Sequence, residues 1–350
     1  MRTFTVRVEP LGTEIPCRED QTVLDACLRE GIWLPHACTH GTCGTCKAQV
    51  LDGRLDLGDA SPYALLESER EEGCALMCVA KPRGDVTIEG EIDVEEGVDI
   101  HPVRDYDGAV EVLEDVGPDV RQLVLRLSRP LTFNPGQYVL LDVPGGEPRP
   151  YSVASTPAGG SRIELHIKRS AHGLATDGWI FKDLAAGDAV SLSGPYGRFS
   201  FRPVRTQPIL MLAGGTGLAP MKSIIAHIAE VGAAHEAVLY HGVPTSADLY
   251  DHAWLTWFAA EHDWFSYRPV LSREQWTGRM GRVPAQVTED YPLASGHVAY
   301  LCGRPDFVTD SMKALMKARL FPRDILREDF FDFADRAVGT HVVRGPLIRR

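Results

Sequence analysis

No apolar run in this 350-residue chain is long enough to span a bilayer; the uncharged stretch 206–221 is too short and too glycine-rich. The first twenty residues carry Arg2, Arg7, Glu9, Glu14, Arg18, Glu19 and Asp20, so no apolar export signal is expected and a cytoplasmic protein is. Eight cysteines are too few for a disulfide scaffold at this length. The twelve histidines lack metal-ligand spacing, and no Ser/His/Asp or paired-carboxylate arrangement argues for hydrolysis. Positive charge is scarce at the front: residues 1–97 hold nine Lys/Arg against nineteen Asp/Glu, a net of −10 out of −12 for the whole chain. That argues against nucleic acid as a partner. It serves either solubility or steering toward a basic patch on a protein.

Against these absences stands one dense motif. Cys38, Cys43 and Cys46 sit in a single loop, His-Ala-Cys-Thr-His-Gly-Thr-Cys-Gly-Thr-Cys, with Cys78 farther on. Four residues and then two separate the loop cysteines, the spacing of a plant-type [2Fe–2S] ligand set. Gly41 and Gly44 permit the left-handed backbone that wraps a cluster and aims N–H groups at sulfur. A zinc site would more often show two short Cys or Cys/His pairs. Cys74 is a rival fourth ligand to Cys78. His36 and His40 are expected to shape the loop, and Cys17, Cys27 and Cys74 to be reduced thiols.

The length suits two or three domains. In the first, Thr3 to Val8 alternates as a strand, and Thr22 caps a helix running to Arg29, which Gly31 ends. A strand over 47–51, an Asp52-Gly53 turn, a short helix over 63–69, the apolar stretch 75–79 and a strand over 86–88 complete a β-grasp-like module. The run from Glu95-Glu96-Gly97 to His101-Pro102, acidic and holding Gly and Pro, reads as a linker. Short strands at 108–114, 121–127, 137–143, 151–154, 163–168 and 189–193, punctuated by Gly and Pro, predict an antiparallel β-barrel. Beyond about residue 208, strands at 209–213, 237–240, 265–270 and 298–302 alternate with helices beginning near 219, 249 and 306, predicting a parallel α/β domain. Trp254, Trp257 and Phe258, at helical spacing, are expected in its core. The boundaries expected are 1–97, a linker at 98–104, 105–205, 206–335 and a tail at 336–350.

Two further motifs carry chemistry. Arg149-Pro150-Tyr151-Ser152 puts a cation, a ring and a hydroxyl at the mouth of a strand, as a flavin needs for phosphate, ring face and ring edge. Gly214-Gly215-Thr216-Gly217 follows a buried strand and opens a helix, letting a dinucleotide pyrophosphate approach backbone N–H groups. Together with the cysteine set, these motifs resemble the ferredoxin–NAD(P) reductase superfamily. More narrowly, they resemble the iron–sulfur flavoprotein reductases of multicomponent oxygenases, such as those of phenol hydroxylase, methane monooxygenase and benzoate dioxygenase. Residues 33–38 and 58–62 look most like the phenol hydroxylase type.

The resemblance implies further assignments. It favours Cys78, in its Leu-Met-Cys-Val setting, as the fourth cluster ligand. Arg149, Pro150, Tyr151 and Ser152 would hold FAD, with Ser152 near its reactive nitrogen; His166, Ile167 and Lys168 would flank its ribityl chain and phosphates. Gly173 and Thr176 would receive its pyrophosphate at a helix entrance, which favours FAD over FMN. Gly214, Gly215, Thr216 and Gly217 would bind the dinucleotide. Cys302 and Gly303 would stand beside the nicotinamide, and Glu328 and Phe330 near the flavin, making Ser152, Cys302 and Glu328 the catalytic candidates. No Lys or Arg occurs from Ser223 to Tyr267, which points to NADH, although Ser272-Arg273 resembles a 2′-phosphate reader. The expected reaction is electron transfer from NADH through FAD and [2Fe–2S] to the di-iron hydroxylase of a monooxygenase acting on phenols, aromatic hydrocarbons or short alkanes. The acidic front module is the expected docking face. A Rieske dioxygenase or another redox acceptor, or a redox-sensing role without catalysis, are the other readings.

Overall fold

Alternating apolar residues build the first sheet of the computed structural model, which describes residues 2–330 apart from 93–94, 171–172 and 234. The tail expected at 336–350, and the end of the preceding domain at 331–335, lie outside those residues. In β1 (Thr3–Glu9), Val6 and Val8 are wholly buried while Thr5 and Arg7 face out. The sheet adds β2 (Thr13–Arg18), β3 (Lys47–Asp56), β4 (Cys74–Leu76) and β5 (Lys81–Glu89), in the order β2-β1-β5-β3-β4. β1 and β5 run parallel; the other neighbours are antiparallel. Helix α1 (Val23–Arg29) packs its apolar face with this sheet's core, its start capped by Thr22 Oγ1, which accepts the Asp25 N–H at 3.3 Å. A one-turn helix α2 (Glu67–Glu71) precedes β4. The Asp52-Gly53 hairpin turn is not formed: β3 runs through it with register shifts on either side. Gly53 is needed there for another reason, since a Cβ would lie 2.2 Å from the Asp85 carbonyl.

The second sheet comprises β6 (Arg104–Gly117), β7 (Val120–Leu127), β8 (Tyr138–Leu141), β9 (Arg149–Ser152), β10 (Arg162–Lys168) and β11 (Ala189–Tyr196), ordered β10-β7-β6-β11-β8-β9. An antiparallel bridge between Val153 and Leu165, with Ala154 N–H donating to Glu164 O at 2.8 Å, joins the two outer strands and closes the barrel. Leu123, Leu125, Val139, Leu141, Leu165 and Ile167 fill its interior.

The third sheet is wholly parallel: β12 (Ile209–Gly214), β13 (Ala237–Val243), β14 (Phe265–Leu271), β15 (Arg279–Met280), β16 (Val298–Gly303) and β17 (Ile325–Asp329), ordered β15-β14-β13-β12-β16-β17. Its central strand is apolar on both faces. Met211 joins Ile224, Ile225 and Phe258 beneath α3 (Leu218–Val231) and α4 (His252–Glu261). Leu210 and Leu212 join Val287 and Leu315 beneath α5 (Val283–Asp290) and α6 (Pro305–Lys317). Phe258 is in this core as expected; Trp257 is not, being 55% exposed.

The described residues form two units, 2–104 with 194–198, and 105–193 with 199–330. Among them, no helix is long and apolar enough to cross a membrane.

Candidate functional site

In the first unit the cysteine loop turns through positive φ at Thr39, Gly41 and Gly44. Added Cβ atoms at the two glycines would come within 3.0 Å of Asp59 O and 3.1 Å of Ala64 O, so the loop can lie flat on 59–64 only without side chains there. The four sulfurs interact. Cys43 and then Cys78 donate toward Cys38 and pull its pKa far down, while Cys78 does the same for Cys46. The donors Cys43 and Cys78 are pushed up, chiefly by their partner Cys38. Such proton sharing fits a nest whose thiolates are meant to meet positive charge. Cys74 stands apart, its Sγ 3.4 Å from Gln49 Oε1. His36 is a buttress: its Nδ1–H donates to Leu34 O at 2.8 Å and Nε2 accepts the Gly197 N–H at 3.1 Å, with Gly197 in the 194–198 stretch of this unit. Burial lowers its pKa to about 4, so it is neutral.

In the second unit, β9 carries the flavin candidates. Arg149 Nη1 donates to the carbonyls of Glu147 (3.0 Å) and Pro148 (3.2 Å), and Pro150 pairs with Leu140 across β8. Tyr151 packs on the barrel core, its hydroxyl pKa raised by burial. Ser152 Oγ is buried without a hydrogen-bond partner among the described residues. Thr176 opens a five-residue π-type turn, and its hydroxyl both accepts from Ser170 N (3.1 Å) and donates to Ser170 O (3.2 Å). Gly173 sits against it, a Cβ there falling 2.7 Å from Thr176 Oγ1. On β10, Ile167 faces the barrel core, and Lys168 pairs with Asp119 at 3.5 Å.

The dinucleotide candidates converge at the carboxyl edge of the parallel sheet, where open α/β sheets bind ligands. β12 ends at Gly214, one tight turn spans Gly215–Gly217, and α3 begins at Leu218. A Cβ on Gly217 would lie 2.1 Å from the Cys302 carbonyl oxygen, so the turn touches the end of β16 through bare backbone. Thr216 and Cys302 are buried. Cys302 faces Glu328 across β16 and β17, and Phe330 N–H donates to Gly303 O at 2.7 Å, tying the two strand ends together. Burial first, then Asp329, raises the Glu328 carboxyl to about 8, and its Oε2 lacks a partner among the described residues. Burial also raises the Cys302 thiol, making it a neutral surface rather than a nucleophile. Two orphaned buried groups, Ser152 Oγ and Glu328 Oε2, are costly unless something fills them. The polar edge of a flavin offers the needed partners, so these residues fit FAD.

His166 belongs to a polar network that no sequence motif announced. Its Nε2–H donates to Glu164 Oε1 (2.7 Å), and Nδ1 accepts from Tyr250 OH (3.2 Å). Lys222 Nζ, on α3, lies 2.8 Å from both Glu164 Oε1 and Asp251 Oδ2, and 5.2 Å from the Trp254 ring centroid. Burial alone would raise Glu164, but His166 and Lys222 outweigh it and hold the carboxylate ionised. Burial would likewise lower Lys222, and the two carboxylates overcome that. The only local hint was charge at Glu164 and His166 in a strand with an apolar alternate face.

A four-cysteine nest, a barrel with a flavin-edge surface and a glycine turn on a parallel sheet define an NAD(P)H-dependent flavin and iron–sulfur oxidoreductase. Comparison with known proteins agrees part by part: a 2Fe-2S iron-sulfur cluster binding domain matches 6–83, an oxidoreductase FAD-binding domain 107–201 and an oxidoreductase NAD-binding domain 211–313. The chain is 41% identical over 341 residues to the phenol 2-monooxygenase reductase component DmpP of Pseudomonas sp. (strain CF600), covering 96% of each. It is 40% identical over 343 residues to the phenol hydroxylase P5 protein of Acinetobacter pittii (strain PHEA-2), covering 96% of this chain and 97% of that one. The crystal structure of Amycolatopsis cytochrome P450 reductase GcoB superposes with a TM-score of 0.88 at 41% identity, over 94% of this chain and 99% of that one. The chain belongs to the family of FAD and [2Fe–2S] reductase components of multicomponent oxygenases.

Proposed function

We propose that this protein is the NADH-oxidising reductase of a di-iron phenol hydroxylase or a close relative, delivering electrons to its hydroxylase component. The observation that carries the reading is end-to-end identity of about two residues in five with two phenol hydroxylase reductases. When bound, FAD supplies hydride acceptance and one-electron release, and the cluster supplies single-electron transfer. Cys38, Cys43, Cys46 and Cys78 hold the cluster. Arg149 and the turn at Gly173 and Thr176 would hold the flavin phosphates, and Tyr151 would pack on its ring. Ser152 Oγ and the neutral Glu328 carboxyl hold protons at the flavin edge, while Cys302 supplies an uncharged surface for the nicotinamide. The glycine turn at 214–217 receives the dinucleotide pyrophosphate.

NADH is preferred because no Lys or Arg occurs from Ser223 to Tyr267 and because Glu274, in the loop after β14, presents a carboxylate at the same sheet edge, accepting from Ser246 N and Oγ, each at 2.8 Å. A 2′-phosphate would meet that negative charge. The acidic front module, at −10, is the docking face, suited to a basic hydroxylase surface. The reaction takes place in the cytoplasm, where NADH is made and used.

Reconstitution tests this reading. Purified protein is mixed with a phenol hydroxylase di-iron component, and NADH oxidation is expected to couple to phenol hydroxylation, with a clear preference over NADPH. A second reading, a cytochrome P450 as acceptor, draws on the equal likeness to the P450 reductase. Coupling to a cytochrome P450 and not to the di-iron component would favour it.

A further inference from the structure

Helix α3 springs from the dinucleotide turn, and three of its residues bond to the barrel. Ser223 Oγ donates to Ser155 O (2.7 Å), Glu230 Oε1 accepts from Thr156 Oγ1 (2.7 Å), and Lys222 Nζ reaches Glu164 on β10 (2.8 Å). The last of these differs in kind. Glu164 comes from the barrel and Asp251 from the start of α4, and the Lys222 ammonium lies between the two carboxylates at 2.8 Å from each. Glu164, His166 and Asp251 bring their ligand atoms within 4.8 Å of one another, a grouping that would suit a metal ion. Here the ammonium takes that place. Remove it, and two desolvated like charges face each other between barrel and dinucleotide fold.

The same network reaches the dinucleotide turn by a second route. Tyr250, whose hydroxyl holds His166, sets its ring edge-on to both His166 (5.0 Å) and His241 (5.7 Å). His241, buried and neutral with a pKa lowered to about 4, donates Nε2–H to Gly215 O at 3.0 Å. The flavin-side strand and the dinucleotide turn are thus connected through Lys222, Tyr250 and His241. Resting on the flavin and NADH assignment above, we propose that Lys222 is a positioning residue for hydride transfer. Its charge holds the nicotinamide-binding fold at the separation from the flavin strand that the transfer requires. It touches neither reactant; it acts through Glu164 and Asp251.

The test uses the holoenzyme and Lys222→Met, which keeps length and loses charge. Anaerobic stopped-flow mixing with NADH reads flavin reduction, the long-wavelength charge-transfer band between flavin and nicotinamide, and the isotope effect with deuterated NADH. In the variant, flavin and iron content stay at wild-type levels. Flavin reduction slows about 100-fold, the scale of an ångström-sized misplacement, with a diminished charge-transfer band and an isotope effect at least as large as wild type. A bystander Lys222 would lower the melting temperature and leave all three kinetic readings, per bound flavin, unchanged; that result overturns the proposal. Should Lys222→Met not fold, Asp251→Asn is read by the same criteria, with about a tenfold slowing expected and an unaltered rate and band overturning it. Failure of wild-type flavin to be reduced by NADH would instead overturn the functional reading on which this rests.

Discussion

The cluster nest and the flavin–dinucleotide site solve opposite construction problems. In the nest, three of four sulfurs come from nine consecutive residues, and backbone conformation does most of the work: Thr39, Gly41 and Gly44 take left-handed φ so that one loop wraps the thiols. The second site draws side chains from β9, β16 and β17 and bare backbone from the turn after β12, none adjacent in sequence. There the work is done by burial, which leaves Ser152 Oγ and Glu328 Oε2 without partners among the described residues and lifts the Glu328 carboxyl to about 8. One site is fixed by local geometry and should fail by losing its contents. The other is fixed by packing and should fail by losing alignment.

Replacing Cys78 with Ser should give the largest and most one-sided effect. Iron and the cluster's visible spectrum are lost, reduction of a one-electron protein acceptor falls to background, and flavin reduction by NADH persists. Cys74→Ser, whose thiol is held by Gln49, should keep the cluster; the reverse pattern would exchange the two assignments. Gly217→Ala should show the converse selectivity. Its Cβ would collide with the Cys302 carbonyl at 2.1 Å, and neither backbone segment can give way cheaply. Turnover with NADH should fall about 100-fold while the cluster spectrum stays intact.

Glu328→Gln probes alignment by charge alone. Burial raises this carboxyl to about 8, so it is neutral below that pH and an anion above it. Wild-type flavin reduction should therefore decline as pH rises through about 8. The glutamine variant should show no such decline and lose less than about tenfold at neutral pH, the value of roughly one hydrogen bond. The smallest expected effect lies beside the nest. Thr22→Ala removes the α1 cap and should cost about 1 kcal/mol of stability, seen as earlier cluster bleaching in denaturant, without changing flavin reduction.

The same contrast explains what could be read in advance. The cluster loop was legible because its chemistry is contiguous, and the glycine turn because a buried strand and a helix flank it. Edge strand β2 was not, since its six residues include Pro16 and the charged Glu14 and Arg18 and leave only Ile15 and Cys17 to alternate, which a sheet edge tolerates. Asp52-Gly53 misled because a hairpin signal and a close-approach glycine look alike locally; only the Asp85 backbone distinguishes them. Strand β17, as Ile-Leu-Arg-Glu-Asp, has no strand periodicity, so Glu328 was reached by resemblance alone. The Lys222 network joins residues 58 and 29 positions away along the chain, and nothing near Lys222 points to either.

The central claim is that electrons enter at the flavin and leave from the four-cysteine nest. Anaerobic rapid mixing with NADH, followed by optical spectroscopy for the flavin and electron paramagnetic resonance for the cluster, tests it directly. The account predicts that flavin bleaching comes first and the reduced [2Fe–2S] signal grows in afterwards, and that Cys78→Ser retains the first phase and lacks the second. A reduced-cluster signal that appears before flavin bleaching, or in flavin-free protein, would contradict it.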